Sequence, residues 1–193
     1  MKLIIASNNA HKIYEIKKIL SGKFDEIISL REAGIDHETV EDGTTFMENA
    51  LKKAREIAEI SGFAALADDS GICVDHLGGA PGIYSARFSG EHGNDERNNS
   101  LLLEKLKGAV DRGAHYTAAV ALVYPNGESV TAEGYMYGEI TDAPRGTRGF
   151  GYDPLFVPTG MTCTVAELTD SEKNAISHRA NALKAILAKL EEI

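Results

Sequence analysis

An α/β protein built on a mixed β-sheet is predicted for this chain from three observations. Short apolar strands alternate with amphipathic helices, a hairpin signal stands in the second half, and 193 residues suffice for one substantial core but would leave two small ones if split. A single domain over 1–193 is therefore expected, with parallel pairing among the first strands.

Each element has its own signal. Lys2 to Ala6 reads as a buried strand running into Ser7-Asn8-Asn9, which are good turn and helix-capping residues. Ile13, Ile16, Ile19 and Leu20 then form one helical face, closed by Gly22. Glu26 to Leu30 is a second strand, followed by a polar loop through Glu41-Asp42-Gly43. Thr45 and Glu48 have capping-box spacing, and Phe46, Ala50, Ala54, Ile57 and Ala58 carry a helix to Gly62. Ala64 to Ala67 reads as a short apolar strand ending at Asp68-Asp69-Ser70-Gly71. A Gly-rich loop is expected from Gly78 to Gly90, and a helix from Asn94 carrying Leu101, Leu102 and Leu106. Tyr116 to Tyr124 and Ser129 to Tyr137 are strands joined across Pro125-Asn126-Gly127, a strong hairpin sequence. Loops around Gly146, Gly149 and Gly151 precede a short strand at Leu155 to Val157 and a final helix with Leu183, Ile186, Leu187 and Leu190 on one side, capped by Ser177.

The composition excludes several classes. Hydrophobic residues at 43% and charged residues at 25% are ordinary for a folded globular protein. A formal net charge of -9 gives no attraction to nucleic acid as a whole, so a polyphosphate substrate has to be held by a few local Lys and Arg residues and a metal ion. No segment approaches the roughly 20 apolar residues of a membrane span, and the first apolar run, of about five residues, falls short of a signal peptide. Cys73 and Cys163 lack metal-ligand spacing and read as reduced, partly buried thiols. A soluble, cytoplasmic protein with no nucleic-acid or membrane partner is expected.

Four segments carry chemistry. At Ser7-Asn8-Asn9-Ala10-His11-Lys12 a strand becomes a helix, presenting backbone N–H groups and the positive end of the helix dipole, with a lysine beside them. A plain capped turn with a solvated lysine accounts for the same residues, and the segment is not a P-loop. Asp68-Asp69 places two carboxylates at a strand end, costly to bury together without a cation and suited to Mg²⁺, although Asp-Asp-Ser-Gly is also good turn sequence. Glu41 is a candidate second ligand. Gly149-Phe150-Gly151-Tyr152-Asp153-Pro154 sets two aromatic rings between glycines, either of which can stack on a base or anchor a bend in the core. Lys173, His178 and Arg179 flank the helix start at Ser177, where charged residues are commonly solvated.

Together these segments resemble the Ham1-type inosine/xanthosine triphosphate pyrophosphatases. The matching motifs are Ser7-x-Asn9-x-x-Lys12; Ala67-Asp68-Asp69-Ser70-Gly71 with Gly78 through Arg87; Gly149 through Pro154; and Glu172-Lys173-Asn174 with Ser177-His178-Arg179. They span essentially the whole chain, with a small departure at His76, where the family often has a small residue. The resemblance implies an elongated mixed sheet flanked by helices, two lobes with a nucleotide cleft between them, and a homodimer. It further implies hydrolysis of ITP, dITP or XTP to the monophosphate and pyrophosphate, which cleanses the nucleotide pool, by Mg²⁺-assisted attack of water on the α-phosphorus. By correspondence, Ser7, Asn8, Asn9, Ala10, His11, Lys12 and Lys53 hold the triphosphate, and Ser70 contacts substrate. Asp69 is metal ligand and proton acceptor, with Glu41 the other ligand. Phe150, Gly151, Tyr152, Asp153, Lys173, His178 and Arg179 bind the nucleotide and its base. Hypoxanthine and xanthine carry an oxygen where adenine carries an amino group, so donors on His178 and Arg179 suit the deaminated bases. A pyrophosphatase of other base preference, as in the Maf-like proteins, and a nucleotide sensor without turnover are the competing readings.

Overall fold

The structure, a computed structural model, describes residues 1–191. The principal elements are β1 (Lys2–Ile5), α1 (Ala10–Ile19), β2 (Glu26–Ser29), α2 (Phe46–Ser61), β3 (Ala64–Val74), α3 (Asp95–Lys105), β4 (Gly113–Val123), β5 (Ser129–Ile140), β6 (Phe156–Pro158), α4 (Asp170–Ile176) and α5 (His178–Glu191). The strands form one sheet in the order β2-β1-β3-β4-β5-β6. β1 pairs in parallel with β2 and β3, and β5 pairs antiparallel with β6, so the sheet is mixed as expected. β4 and β5 are joined by the hairpin at Pro125-Asn126-Gly127, closed by Tyr124 N–H donating to Glu128 O at 2.9 Å.

The chain divides into two compact units, the first comprising Met1–Asp69, Ala118–Gly134 and the segment from His178, the second Ser70–Thr117 and Tyr135–Ser177. Within the first unit the period-2 alternation of strands sorts the core into two faces. Leu3 and Ile5, Ala64 and Leu66, and Ala118, Val120 and Leu122 face Ile16 of α1, Leu20 at its C-cap, and Ala182, Leu183 and Ile186 of α5. Their neighbours Ile4 and Ala6, Ala65 and Ala67, and Ala119, Ala121 and Val123 face Ala50, Ala54, Ile57 and Ala58 of α2. Helices thus cover both sides of the strands. Close approach of α5 requires Gly134 on β5, because a Cβ there would collide with the backbone of His178 and Ala182. The second unit has its own core of Ile72, Val74, Leu102, Leu106, Tyr116, Met136, Ile140, Tyr152, Leu155 and Phe156.

Local signals for the helix starts hold. Asn9 caps α1, accepting from the N–H groups of His11 and Lys12, and Thr45 and Glu48 form a full capping box on α2. Gly62, in the left-handed region, ends α2. Two expectations are corrected, and one element is added. β3 does not stop at Ala67 but runs through Asp68-Asp69-Ser70-Gly71 to Val74, so this stretch is strand and not turn. The expected Gly78–Gly90 loop contains a 3₁₀ segment, Gly82–Arg87. The final helix starts at His178, directly after Ser177, as expected, and a further helix, α4, with a capping box of Thr169 and Glu172, precedes it. Among the described residues no helix is long and apolar enough to cross a membrane. Both cysteines are free and half-buried.

Candidate active site

The register decides the geometry around the paired aspartates. β1 ends at Ile5, opposite Leu66, while β3 continues, so Asp68 and Asp69 lie beyond the carboxyl end of β1. Successive strand residues point to opposite faces. Asp68 shares the face of Ala64 and Leu66, and Asp69 that of Ala65 and Ala67. Both carboxylates are buried, and each meets a different set of side-chain partners.

Asp68, 1% exposed, belongs to the face covered by α1 and α5. Lys12 Nζ lies 2.6 Å from its Oδ1, and Arg179 Nε and Nη2 donate to its two oxygens at 3.2 Å. Arg179 Nη1 also donates to Glu15, three residues after Lys12 on the same face of α1. Burial alone would raise the Asp68 carboxyl, but the guanidinium and ammonium outweigh it and hold the group well below the usual carboxylate range. Arg179, expected at the edge of a base, is 1% exposed and here balances two buried carboxylates.

Asp69, 7% exposed, belongs to the face covered by α2. Asn49 and Lys53, four residues apart on α2, both reach it. Asn49 Nδ2 donates to Oδ2 at 3.1 Å and Lys53 Nζ to Oδ1 at 3.2 Å. Lys53 Nζ also donates to Glu41 Oε1 at 2.7 Å and to the Asp68 carbonyl at 2.9 Å. Burial dominates at Asp69 and raises its carboxyl against the pull of Lys53 and Lys12, with Glu41 pushing in the same direction as burial. Burial alone would lower the Lys53 ammonium, but Asp69 and Glu41 outweigh it, so Lys53 stays charged. Glu41 and Asp69 thus converge on one cationic group. Among the described residues no set of three or more His, Cys, Asp or Glu is arranged around a metal. Two carboxylates nevertheless suit Mg²⁺, which commonly takes one or two and completes its shell with phosphate oxygens and water.

The loop from Ser7 to Lys12 is held by its own bonds, Asn9 N–H donating to Ser7 Oγ at 3.1 Å and Asn8 Nδ2 to the His37 carbonyl at 3.4 Å. Asn8, Asn9, Ala10 and His11 are exposed at the start of α1, where the helix dipole favours an anion. His178, at the start of α5, is 5% exposed, and Ser70 follows Asp69 on β3, half-buried.

In the second unit Asp153, 3% exposed, organises the Gly149–Pro154 segment. It accepts from Phe150 N–H at 3.0 Å, from Lys173 Nζ at 2.8 Å and from Tyr116 Oη at 3.3 Å. Lys173 Nζ stands 4.7 Å from the centre of the Phe150 ring. Gly151 N–H donates to Asp95 at 2.7 Å and its carbonyl accepts from Asn99 at 3.1 Å. The alternative left open for the two aromatics is resolved for one of them. The Tyr152 ring is core, 4% exposed, with its hydroxyl donating to the Ser85 carbonyl at 2.7 Å, whereas Phe150 remains half-buried.

A family model described as the Ham1 family matches residues 3–189. The chain belongs to the Ham1 family. Among relatives, the dITP/XTP pyrophosphatase of Clostridium perfringens is 52% identical, with 100% of this chain and 98% of the relative covered. That of Streptomyces coelicolor is 46% identical over the same shares. The Ham1 protein structure from Staphylococcus aureus superposes with a TM-score of 0.89 at 40% identity, covering 100% of this chain and 99% of the other. A Mycobacterium abscessus nucleoside-triphosphatase, also titled dITP/XTP pyrophosphatase, gives 0.78 at 46% identity, covering 97% and 99%. The α/β architecture with a mixed sheet flanked by helices is that of Ham1 structures.

Two residues around the aspartates escaped sequence reasoning, Asn49 and Glu15. Each stands at the edge of an apolar helical stripe, among mostly polar neighbours, which is a weak signal in the sequence alone. Asn49 is 1% exposed beside Ala50 and Ala54, and Glu15 is 7% exposed beside Ile16.

Proposed function

We propose that this Ham1 chain, acting as one enzymatic unit over 1–193, hydrolyses deaminated purine nucleoside triphosphates, ITP, dITP and XTP, to the monophosphate and pyrophosphate. The observation that carries the reading is Asp69. It is a nearly buried carboxyl with a raised pKa, held between Asn49 and a lysine that also holds Glu41. Curated relatives at about half identity bear the name dITP/XTP pyrophosphatase, which supports the substrate class.

In this reading Glu41 and Asp69 would hold Mg²⁺, which would supply charge neutralisation for the phosphates and the attacking oxygen. Lys12, Lys53 and the exposed start of α1, with Ser7, Asn8, Asn9, Ala10 and His11, receive the triphosphate, and Ser70 touches it. Both lysines then exchange part of their carboxylate contacts for phosphate oxygens, which conserves charge pairing. Asp69 accepts the proton of a water attacking the α-phosphorus; the P–O bond to the β-phosphate breaks and pyrophosphate leaves. Burial raises this carboxyl in the metal-free protein, and a bound Mg²⁺ would lower it and keep it ionised, ready to accept a proton. Phe150 stacks on the base, Lys173, Gly151, Tyr152 and Asp153 hold that platform, and His178 and Arg179 read the purine edge. A homodimer in the cytoplasm, without nucleic-acid or membrane partners, completes the proposal; the net charge of -9 and two free cysteines are in keeping with it.

Incubating the protein with inosine, xanthosine, guanosine and adenosine triphosphates, with and without Mg²⁺, tests the function. Inosine triphosphate is expected to yield monophosphate and pyrophosphate in equal amounts. Accumulating diphosphate and free phosphate would place the attack at the γ-phosphorus, and no release from any triphosphate would leave a binding protein. A second expectation concerns the platform. Phe150→Ala should weaken inosine and adenosine triphosphates alike, by about 1–3 kcal/mol, because every base has a stacking face. Loss for only one of them, measured as KM, would remove Phe150 from general stacking.

A further inference from the structure

Asn49 lies between the two carboxylate-bearing segments and has no part in the chemistry proposed above. Its side chain is 1% exposed and uses both ends of the amide. Nδ2 donates to Asp69 Oδ2 at 3.1 Å, and Oδ1 accepts from the backbone N–H of Gly43 at 2.9 Å. Gly43 is two residues from Glu41, in the loop before α2, and the same loop is tied to α2 by Asp42 and Lys52 at 2.7 Å. A Cβ on Gly43 would stand 2.6 Å from Asn49 Oδ1 and 2.9 Å from the Cβ of Glu48. Gly43 has no left-handed φ, so the requirement for glycine is one of space for the amide.

We propose that Asn49 is a positioning residue that sets the Asp69 carboxylate and the Glu41 loop relative to each other through one amide, with Gly43 as its seat. This rests on the assignment of Glu41 and Asp69 made above. Asn is suited to the task because one end donates and the other accepts, which neither Asp nor Leu reproduces. With Oδ2 held by Asn49, the other oxygen of Asp69 is turned to Lys53, which also holds Glu41. Bonded to Gly43 at one end of its amide and to Asp69 at the other, Asn49 transmits the position of one segment to the other. Misplacing a reacting group by about 1 Å can cost on the order of 100-fold in rate while substrate binding elsewhere is retained.

The test is a double-mutant cycle of Asn49→Ala and Gly43→Ala, two changes on different elements that remove no charge. Each single variant should lower kcat for inosine triphosphate by roughly 10–100-fold with KM close to that of the unaltered enzyme. The double variant should be no worse than the poorer single one, since both changes disrupt the Gly43–Asn49 contact that links the two segments. The rise in Tm on adding Mg²⁺ alone should shrink in both singles, a readout independent of turnover. Wild-type kcat in either variant, additive losses, a loss confined to KM, or an unchanged Mg²⁺ shift would overturn the proposal. If the parent enzyme releases no pyrophosphate, the proposed function falls, and the Mg²⁺ shifts still decide the role of Asn49. Should Asn49→Ala fail to fold, Gly43→Ala decides the matter, because its side chain lies in a loop outside the core clusters.

Discussion

Asp69→Asn should lower kcat for inosine triphosphate at saturating Mg²⁺ by roughly 10²–10⁴-fold, the range typical of a lost general base. The replacement is nearly isosteric and keeps an oxygen for Asn49 or Lys53, so the fold and much of the nucleotide affinity should survive. The parent enzyme should also show an acid limb governed by Asp69. The base works only when deprotonated, so kcat/KM falls as pH drops through its pKa, which burial raises in the metal-free protein and a bound Mg²⁺ would lower. That limb should be missing from the residual activity of the variant. Near-wild-type turnover by Asp69→Asn would remove Asp69 from the chemistry and leave it as a partner of Lys53.

Arg179→Ala should unfold far more easily than the parent. It removes the guanidinium that bonds both Asp68, 1% exposed, and Glu15, 7% exposed. Removing one member of a buried ion cluster commonly costs about 3–5 kcal/mol, a large part of a total stability of about 5–15. Linkage gives the sign of the pH effect. The folded pKa of Asp68 is depressed, so its contribution is present above the unfolded value near 3.9 and is lost as pH falls below it. Urea denaturation of parent and variant between pH 3 and pH 7 should therefore show the largest gap near neutrality and a narrowing one in acid. Arg179→Lys keeps the charge without the planar fork, so it should be milder in stability and is the better variant for testing base recognition. If Arg179 reads the purine edge, the inosine-to-adenosine ratio of kcat/KM narrows in Arg179→Lys by roughly tenfold. An unchanged ratio confines Arg179 to its two carboxylates, and an Arg179→Ala protein as stable as the parent would contradict the burial argument itself.

By itself the sequence determined the kinds of elements and most of their ends. Capping residues such as Asn9 and Thr45, the left-handed Gly62 and the Pro125-Asn126-Gly127 turn act within a few residues, so their signals are local and survive without any knowledge of the fold. The motifs that mark the Ham1 family are contiguous and legible for the same reason. Only the tertiary structure decided whether Asp68-Asp69-Ser70-Gly71 is a turn or a strand, because its residues suit a turn by propensity and burial between neighbouring strands outweighs that preference. From that one decision the rest of the arrangement follows. A turn would have left both carboxylates at one spot, whereas a strand sends Asp68 toward Lys12 and Arg179 and Asp69 toward Asn49 and Lys53. Those partners come from α1, α5 and α2, the most distant of them 111 residues along the chain from Asp68, and no local pattern pairs them. Alternation of side chains across a strand turns adjacency in sequence into opposition in space, and only the packed helices settle which residues stand on each side.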